Sequence, residues 1–191
     1  MPGYTAPLRD HRFCLTELFD YCSHAKLPGF ADASEDVALA VLEQAGKFCA
    51  EVVYPLNEPG DRHGCRLENG AVVMAPGFKQ AYAKLCDGGW PSLTAAPSHG
   101  GQAMPHMVNF LFEEMLAASS LSFCLFPGLT RGAYVTIAKH GDAAQQALYA
   151  PRLASGEWTG SMCLTEPQCG TDLGLIKTTA RPMPDGSYAI S

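Results

Sequence analysis

Long apolar runs are lacking in this chain of 191 residues. No window reaches the roughly 18 uninterrupted apolar residues that a membrane-spanning helix needs. The N-terminal segment 1–20 has no apolar stretch of the kind found in secretion signals, and charged side chains such as Arg9 and Glu17 interrupt it. These absences predict a cytoplasmic protein without a membrane span.

Positive charge is scarce as well. The chain has 13 Lys and Arg residues against 19 Asp and Glu residues, which gives a formal net charge of −6. A mildly acidic chain lacks the basic surface that binds nucleic acid and the basic amphipathic face that binds membranes. Hydrophobic residues, at 47%, are frequent enough for a globular core, so the composition also excludes a disordered chain.

Paired cysteine motifs are absent, although the chain contains 8 cysteines. The cysteines are scattered, with no C-x-x-C pair and no histidine companion at zinc spacing. In a reducing compartment such cysteines are small thiols in or near the core, and we favour this interpretation over a disulfide framework or a metal site. The histidines show neither nucleophile nor metal spacing.

Helical periodicity dominates the chain up to about residue 155. Asp10, Ser34 and Asp142 stand at expected N-caps, and Asp142 forms a capping box with Gln145. The expected helices are 10–22, 35–54, 78–87, 104–119, 129–140 and 143–153. The core faces expected for the first two helices are Leu15, Leu18, Phe19 and Cys22, followed by Val37, Val41, Ala45, Phe48 and Val52.

Two stretches of this region are not predicted to be helical. Pro55 is expected to end the second helix, so that 57–70 forms a loop before a short extended piece at 71–74. The segment 121–128 has no clear assignment.

The pattern changes to β at Gly156. Strands are expected at 157–165, at 175–180 and at 187–191, with a tight turn at Asp185-Gly186 before the last of them. Since the chain stops inside a strand, ladder partners are expected beyond it. The predicted fold class is therefore mainly α, with an N-terminal helical bundle followed by the first strands of a β domain that continues past the chain.

The most informative stretch is 162–174, with the sequence MCLTEPQCGTDLG. It is expected to leave a strand at Thr165, turn at Pro167 and continue as a loop of small residues around Gly170. A loop of this kind can aim backbone N–H groups at a phosphate, and the hydroxyls of Thr165 and Thr171 add donors at each end. An ordinary strand–turn–strand connection, with glycine for steric reasons, explains the same spacing.

This stretch resembles the flavin-binding motif of the acyl-CoA dehydrogenase family, which is close to T-E-P-x-x-G-S/T-D. The match continues through residues 177–180, and segments 138–142 and 151–157 resemble the family's sequence just upstream. Residues 4–10, Phe13 and 27–30 resemble the N-terminal extension of a bacterial subgroup that includes 3-methylmercaptopropionyl-CoA dehydrogenases. The resemblance implies an extension over 1–33, a helical domain over 34–156 and the start of a middle β domain over 157–191.

The resemblance implies FAD as the cofactor. Thr165 is then expected at the flavin ring, with strand contacts from Met162 and Leu164. Gly170 belongs to the cofactor loop. Thr171 is expected to meet the FAD pyrophosphate and the CoA side of the substrate, at a position where the family often has serine.

The resemblance also implies an acyl-CoA substrate and places part of the acyl pocket on segment 125–129. The expected wall residues are Leu125, Pro127 and Leu129, and plain helix packing remains the alternative for them. No catalytic residue is expected in the chain, because the family's base comes from its C-terminal helical domain. Glu166 is interpreted as a turn residue that fixes the loop, and Glu113 and Glu114 are interpreted as structural.

The function implied by the resemblance is the N-terminal portion of an FAD-dependent acyl-CoA dehydrogenase that forms a trans-2-enoyl-CoA. By the same resemblance the electron acceptor is electron-transfer flavoprotein and the enzyme is a homo-oligomer. The portion alone is expected to be inactive. Two alternatives stay open: a related flavoprotein oxidase of the same fold, and a non-catalytic homologue that acts as a helical interaction module.

Overall fold

The computed structural model describes residues 3–24 and 26–191, and it divides the chain into two compact units, Met1–Ser161 and Met162–Ser191. Helices build the first unit, which confirms the mainly α class. They are α1 (Leu8–Phe13), α2 (Tyr21–His24), α3 (Glu35–Phe48), α4 (Asn57–His63), α5 (Phe78–Asp87), α6 (His106–Ser119), α7 (Leu121–His140) and α8 (Ala143–Ser155). The predicted domain bounds stay predictions, and residues 1, 2 and 25 of the expected extension lie outside the described part.

The core of the first unit lies between α3, α5, α6 and the start of α7. Aromatic packing marks its centre, where the Trp90 ring lies 5.9 Å from that of Phe48 and 4.7 Å from that of Phe112, measured between centroids. Leu42 of α3, Leu85 of α5 and other apolar side chains are buried around it. A second, smaller cluster forms between α7 and α8.

Two helix N-caps have the predicted geometry. The Ser34 hydroxyl accepts a hydrogen bond from the Val37 backbone N–H at 3.3 Å, so α3 begins at Glu35. Asp142 Oδ1 accepts from the Gln145 N–H at 2.8 Å, and Gln145 Oε1 accepts from the Asp142 N–H at 2.9 Å. The reciprocal pair is a capping box and satisfies two donors at the start of α8.

Removing the α8 cap is expected to lower stability measurably. Asp142→Ala deletes the acceptor of the Gln145 N–H, a loss that typically costs about 1 kcal/mol. For a chain of this length, that corresponds to a fall of roughly 2–4 °C in the midpoint of thermal unfolding. Asp61→Ala is the control, because Asp61 is exposed and its side chain has no hydrogen-bond partner among the described residues. Equal midpoints for the two variants would contradict the capping role.

The first predicted helix is wrong in its bounds and in its core face. The helix begins at Leu8 rather than Asp10, and a π-helical turn follows at Cys14–Leu18. The wider turn shifts the phase of the side chains, and a positive φ of 45° at Asp20 redirects the chain. Leu15 is therefore buried, whereas Leu18, Phe19 and Cys22 are exposed. The face predicted for the second helix is largely confirmed, since Ala45 is buried and Val41, Phe48 and Val52 pack against the core. Val37 is the exception because it is exposed, and Ala38 and Leu42 are buried in addition.

The expected loop at 57–70 contains regular structure. Pro55 lies in the first turn of a short 3₁₀ helix, where proline is tolerated, and α4 (Asn57–His63) follows directly. A two-stranded antiparallel hairpin then pairs β1 (Arg66–Glu68) with β2 (Ala71–Val73), which confirms the extended piece after Gly70.

Helix α7 is longer than predicted. It includes the unassigned segment 121–128, and Pro127 lies inside it. Proline has no backbone N–H, so the Phe123 carbonyl lacks its usual intrahelical donor. Packing of Phe123 in the core, with its ring centroid 6.1 Å from that of Phe78, holds the helix across this point.

The predicted strand at 157–165 is absent. Its first half folds back on the helices instead: the Trp158 N–H donates to the Arg152 carbonyl, and the Arg152 guanidinium lies 4.4 Å from the Trp158 ring centroid. The Gly160 N–H donates to the Thr130 hydroxyl at 3.2 Å. A strand also needs a ladder partner, and none pairs with this segment among the described residues.

The second unit contains one antiparallel hairpin of β3 (Ala180–Pro182) and β4 (Tyr188–Ile190), in the register Ala180↔Ile190. The predicted turn at Asp185-Gly186 is confirmed, with Gly186 at φ 83° and the Asp185 carboxylate accepting from the Ser187 N–H and hydroxyl. The expected strand 175–180 is wrong in its first part, because a 3₁₀ turn occupies Leu173–Leu175. Its end does pair: the Thr179 N–H donates to the Ser191 carbonyl at 2.8 Å, the Ser191 N–H donates back at 3.1 Å, and Ala180 pairs with Ile190.

Candidate functional site

A compact turn lies at the centre of the second unit. The Glu166 N–H donates to the Cys169 carbonyl at 2.9 Å, and the Cys169 N–H donates back to the Glu166 carbonyl at 3.0 Å. The buried Cys169 thiol then donates to the Asp172 carbonyl at 3.1 Å. Asp172 caps the next turn, since its Oδ1 accepts from the Gly174 N–H at 3.0 Å. The motif residues therefore fold on themselves through local hydrogen bonds.

The Glu166 carboxylate joins this turn to Lys177 and Thr178, which follow 11 and 12 residues later in the chain. Its Oε1 accepts from the Thr178 hydroxyl at 2.6 Å and from the Thr178 N–H at 3.0 Å. Its Oε2 accepts from the Lys177 N–H at 3.0 Å and from the Gln168 side-chain amide. Both oxygens thus have two donors each.

These donors hold the carboxylate in its ionised form. The Thr178 hydroxyl, followed by the Lys177 and Thr178 backbone N–H groups, lowers the pKa of Glu166 from 4.5 to about 2. A carboxylate with such a low pKa is a poor proton acceptor at neutral pH. The geometry therefore agrees with the interpretation of Glu166 as a residue that fixes the loop.

Three of the predicted cofactor residues of this unit, called the donor edge below, carry free donors and flank the Glu166–Cys169 bridge along the chain: Thr165, Gly170 and Thr171. Thr165, Gly170 and Thr171 are exposed, and neither threonine hydroxyl has a hydrogen-bond partner among the described residues. The backbone N–H groups of Gly170 and Thr171 likewise find no acceptor there. The Glu166 carboxylate is engaged by the N–H groups of Lys177 and Thr178, and the Asp172 carboxylate by that of Gly174. The free donors can therefore donate to an anionic ligand. Hydroxyl and backbone N–H donors are the types of group that hold a pyrophosphate such as that of FAD.

The two apolar residues predicted before the motif are also accessible. Met162 is 62% exposed and Leu164 is 40% exposed. They lie two residues apart in a segment without regular secondary structure.

The three expected acyl-wall residues lie on α7 but not on one face. Leu125 and Leu129 are one helical turn apart and are exposed, at 60% and 38%. Pro127 is half-buried and lines a narrow cavity of about 40 Å³ between α5, α6, α7 and α8. The structure therefore groups Leu125 with Leu129 and separates Pro127 from them.

Polar groups of α6 and α7 also line the narrow cavity. Arg131 donates to Glu113 at 2.8 Å, and the buried Asn109 lies one turn before Glu113 on α6. Glu114 instead accepts from His11 at 3.2 Å. Both glutamates make contacts that hold helices together, as the structural interpretation of these residues expects.

A larger groove of about 780 Å³ escaped prediction. It lies between α4, the β1–β2 hairpin, α5 and the start of α7, and its lining includes Met74, Phe78 and Phe126. The groove depends on a helix and a hairpin within the segment that the sequence predicts to be a loop. The apolar run from Ala71 to Ala75 is the sequence signal that could have indicated its wall.

The chain belongs to the acyl-CoA dehydrogenase family. The model of the family's N-terminal domain matches residues 35–157, which is more than half of the chain. The 3-methylmercaptopropionyl-CoA dehydrogenase of Ruegeria pomeroyi is 42% identical over 188 residues, covering 98% of this chain and 32% of that protein. The chain thus spans about a third of the length of this relative.

Solved structures share the fold. An acyl-CoA dehydrogenase of Bacillus anthracis complexed with FAD aligns with a TM-score of 0.63 and 22% identity, over 83% of this chain and 25% of that one. The electron transferring flavoprotein of Acidaminococcus fermentans aligns with a TM-score of 0.65 and 21% identity, over 82% and 38%. At these identities the likeness concerns the fold.

No helix in the described ranges 3–24 and 26–191 has the length and apolarity needed to cross a membrane. Over the same ranges, no cluster of three or more His, Cys, Asp or Glu side chains is arranged to hold a metal ion. All eight cysteines are free thiols.

Proposed function

We propose that this chain is the N-terminal portion of an FAD-dependent acyl-CoA dehydrogenase, called the full-length enzyme below. Membership of the family and the 42% identity to a named acyl-CoA dehydrogenase support the proposal. The observation that carries the cofactor assignment is the edge of free donors at Thr165, Gly170 and Thr171, beside carboxylates that are already engaged.

The proposed reaction converts an acyl-CoA thioester to its trans-2-enoyl-CoA. The α proton passes to a carboxylate base outside this chain, and the β hydrogen leaves as a hydride, which bound FAD accepts. In this chain, Thr165 donates to the isoalloxazine edge, while Thr171 and the Gly170 N–H donate to the pyrophosphate. Thr171 also meets the CoA side of the substrate.

Pocket and partner assignments belong to the same proposal. Leu125, Pro127 and Leu129 contribute to the acyl wall, and Met162 and Leu164 flank the flavin. The full-length enzyme is a homo-oligomer that passes its electrons to electron-transfer flavoprotein in the β-oxidation of acyl chains. A reducing cytoplasm is supported by eight thiols distributed over core and surface.

The chain by itself is expected to show no acyl-CoA dehydrogenation. General-base catalysis needs a carboxylate within hydrogen-bond reach of the α proton, and Glu166 is unsuited by its low pKa and by its four donors. The measurement is dye reduction by purified chain with FAD and acyl-CoA thioesters from butyryl to palmitoyl. The full-length Ruegeria pomeroyi relative, with its named substrate, is the positive control. Turnover by the chain alone would refute this assignment of the base.

A further inference from the structure

We infer that Glu166 is a positioning residue, whose carboxylate ties the 166–169 turn to Lys177 and Thr178 and so fixes the donor edge formed by Thr165, Gly170 and Thr171. The inference rests on the proposed function, because the ligand of that edge is FAD. It goes beyond a local turn, since it assigns the placement of cofactor donors to a contact between two separate segments.

The first support is the number and origin of the hydrogen bonds. Of the four donors to the carboxylate, three come from Lys177 and Thr178, at 2.6 to 3.0 Å. The fourth is the Gln168 side chain, within the turn itself. Gln168 Nε2 also donates to the Leu175 carbonyl at 3.3 Å, which adds a second connection between the turn and the residues that precede Lys177.

The second support is that the residues of the donor edge lie directly before and directly after the 166–169 turn in the chain. Thr165 directly precedes Glu166, and Gly170 directly follows Cys169, whose backbone closes the turn on Glu166. Three residues of the predicted edge therefore depend on where Glu166 is held. Their side chains and N–H groups make no other hydrogen bond among the described residues that would fix them.

The contact is expected to persist in acid. The folded pKa of Glu166, about 2, lies below its ordinary value of 4.5, so its stabilising effect is complete above the ordinary value. The effect is lost only as the pH falls through the folded value. A change from pH 7 to pH 5 therefore leaves the contact intact, and NMR titration of the carboxyl carbon should show its midpoint near 2.

Glu166→Gln tests the inference, because an amide must turn its NH₂ group toward at least one of the present donors. In this chain we expect the hydrogen-exchange protection of the Lys177 and Thr178 N–H groups to fall about tenfold. In the full-length enzyme we expect FAD affinity to fall at least about tenfold and the visible flavin bands to shift. Glu157→Gln is the matched control, because Glu157 is exposed and its carboxylate has no partner among the described residues.

Thr178→Val identifies the route of the effect. If Glu166 acts through Thr178, the double variant should bind FAD about as weakly as Glu166→Gln alone. Additive losses, or unchanged FAD affinity and flavin bands in Glu166→Gln, would overturn the inference. Failure of the proposed function is distinguishable, since the unsubstituted full-length enzyme would then not bind FAD, while hydrogen exchange in this chain would still report the Glu166 contact.

Discussion

Replacing Thr171 with alanine is expected to weaken FAD binding by the full-length enzyme about 10- to 100-fold. In the proposed site the Thr171 hydroxyl donates to the charged pyrophosphate, and a hydrogen bond to a charged group contributes about 1.5–3 kcal/mol. Each 1.4 kcal/mol corresponds to roughly a factor of ten in affinity. The hydroxyl has no partner among the described residues, so its removal leaves the internal hydrogen bonds of the loop unchanged.

Thr165→Ala is the comparison that makes this test specific. Its hydroxyl is proposed to face the isoalloxazine edge, where reduction adds negative charge, so its loss should slow reduction more than it weakens binding. The measurements are the FAD dissociation constant and the rate of flavin bleaching by acyl-CoA, for both variants. Small and equal effects on both quantities would mean that the loop is only a turn.

The features that the sequence predicts best are those that depend on neighbours along the chain. Ser34 and Asp142 bond to N–H groups three residues ahead, so a short window contains both partners. The Asp185-Gly186 turn is local in the same sense, because glycine there adopts a positive φ. Such signals predict where elements begin and end regardless of the tertiary fold.

Features that depend on distant partners were predicted poorly. Segment 157–165 has the composition of a strand, but a strand forms only where another strand pairs with it, and Trp158 packs on Arg152 instead. Proline was also misleading at Pro55, because the first turn of a helix tolerates it.

The candidate site divides in the same way. The motif around Thr165 and Thr171 can be recognised in the sequence because its residues are consecutive. The donors to Glu166 cannot be predicted from the sequence, since Lys177 and Thr178 follow 11 and 12 residues later and no spacing rule links them to Glu166. The separation of Pro127 from Leu125 and Leu129 could be predicted only once this segment was known to be helical, because a helix directs residues two apart to different faces.

The largest loss of stability is expected from Gly101→Ala. A Cβ at Gly101 would lie 2.0 Å from the Ala95 carbonyl oxygen, a backbone atom that no side-chain rotation can move. Relief requires opening the loop, where the Gly101 N–H donates to Ala96 at 2.9 Å and the Ala103 N–H donates to Ala95 at 3.0 Å.

That loop is also linked to α7, since the Tyr134 hydroxyl accepts from the Ala96 N–H at 2.8 Å and contacts His99 Nδ1 at 3.1 Å. Opening it therefore strains a second element, and we expect a loss of about 3 kcal/mol, near the upper end of ordinary point substitutions. The unfolding midpoint should fall by roughly 6–12 °C. Gly132→Ala is the matched control: nothing lies within 4 Å of its Cβ position inside α7, so alanine should stabilise the helix by up to about 1 kcal/mol. If the unfolding midpoint rose in both variants, or fell in both, the contact of the new Cβ with Ala95 would not be what determines the stability of Gly101→Ala.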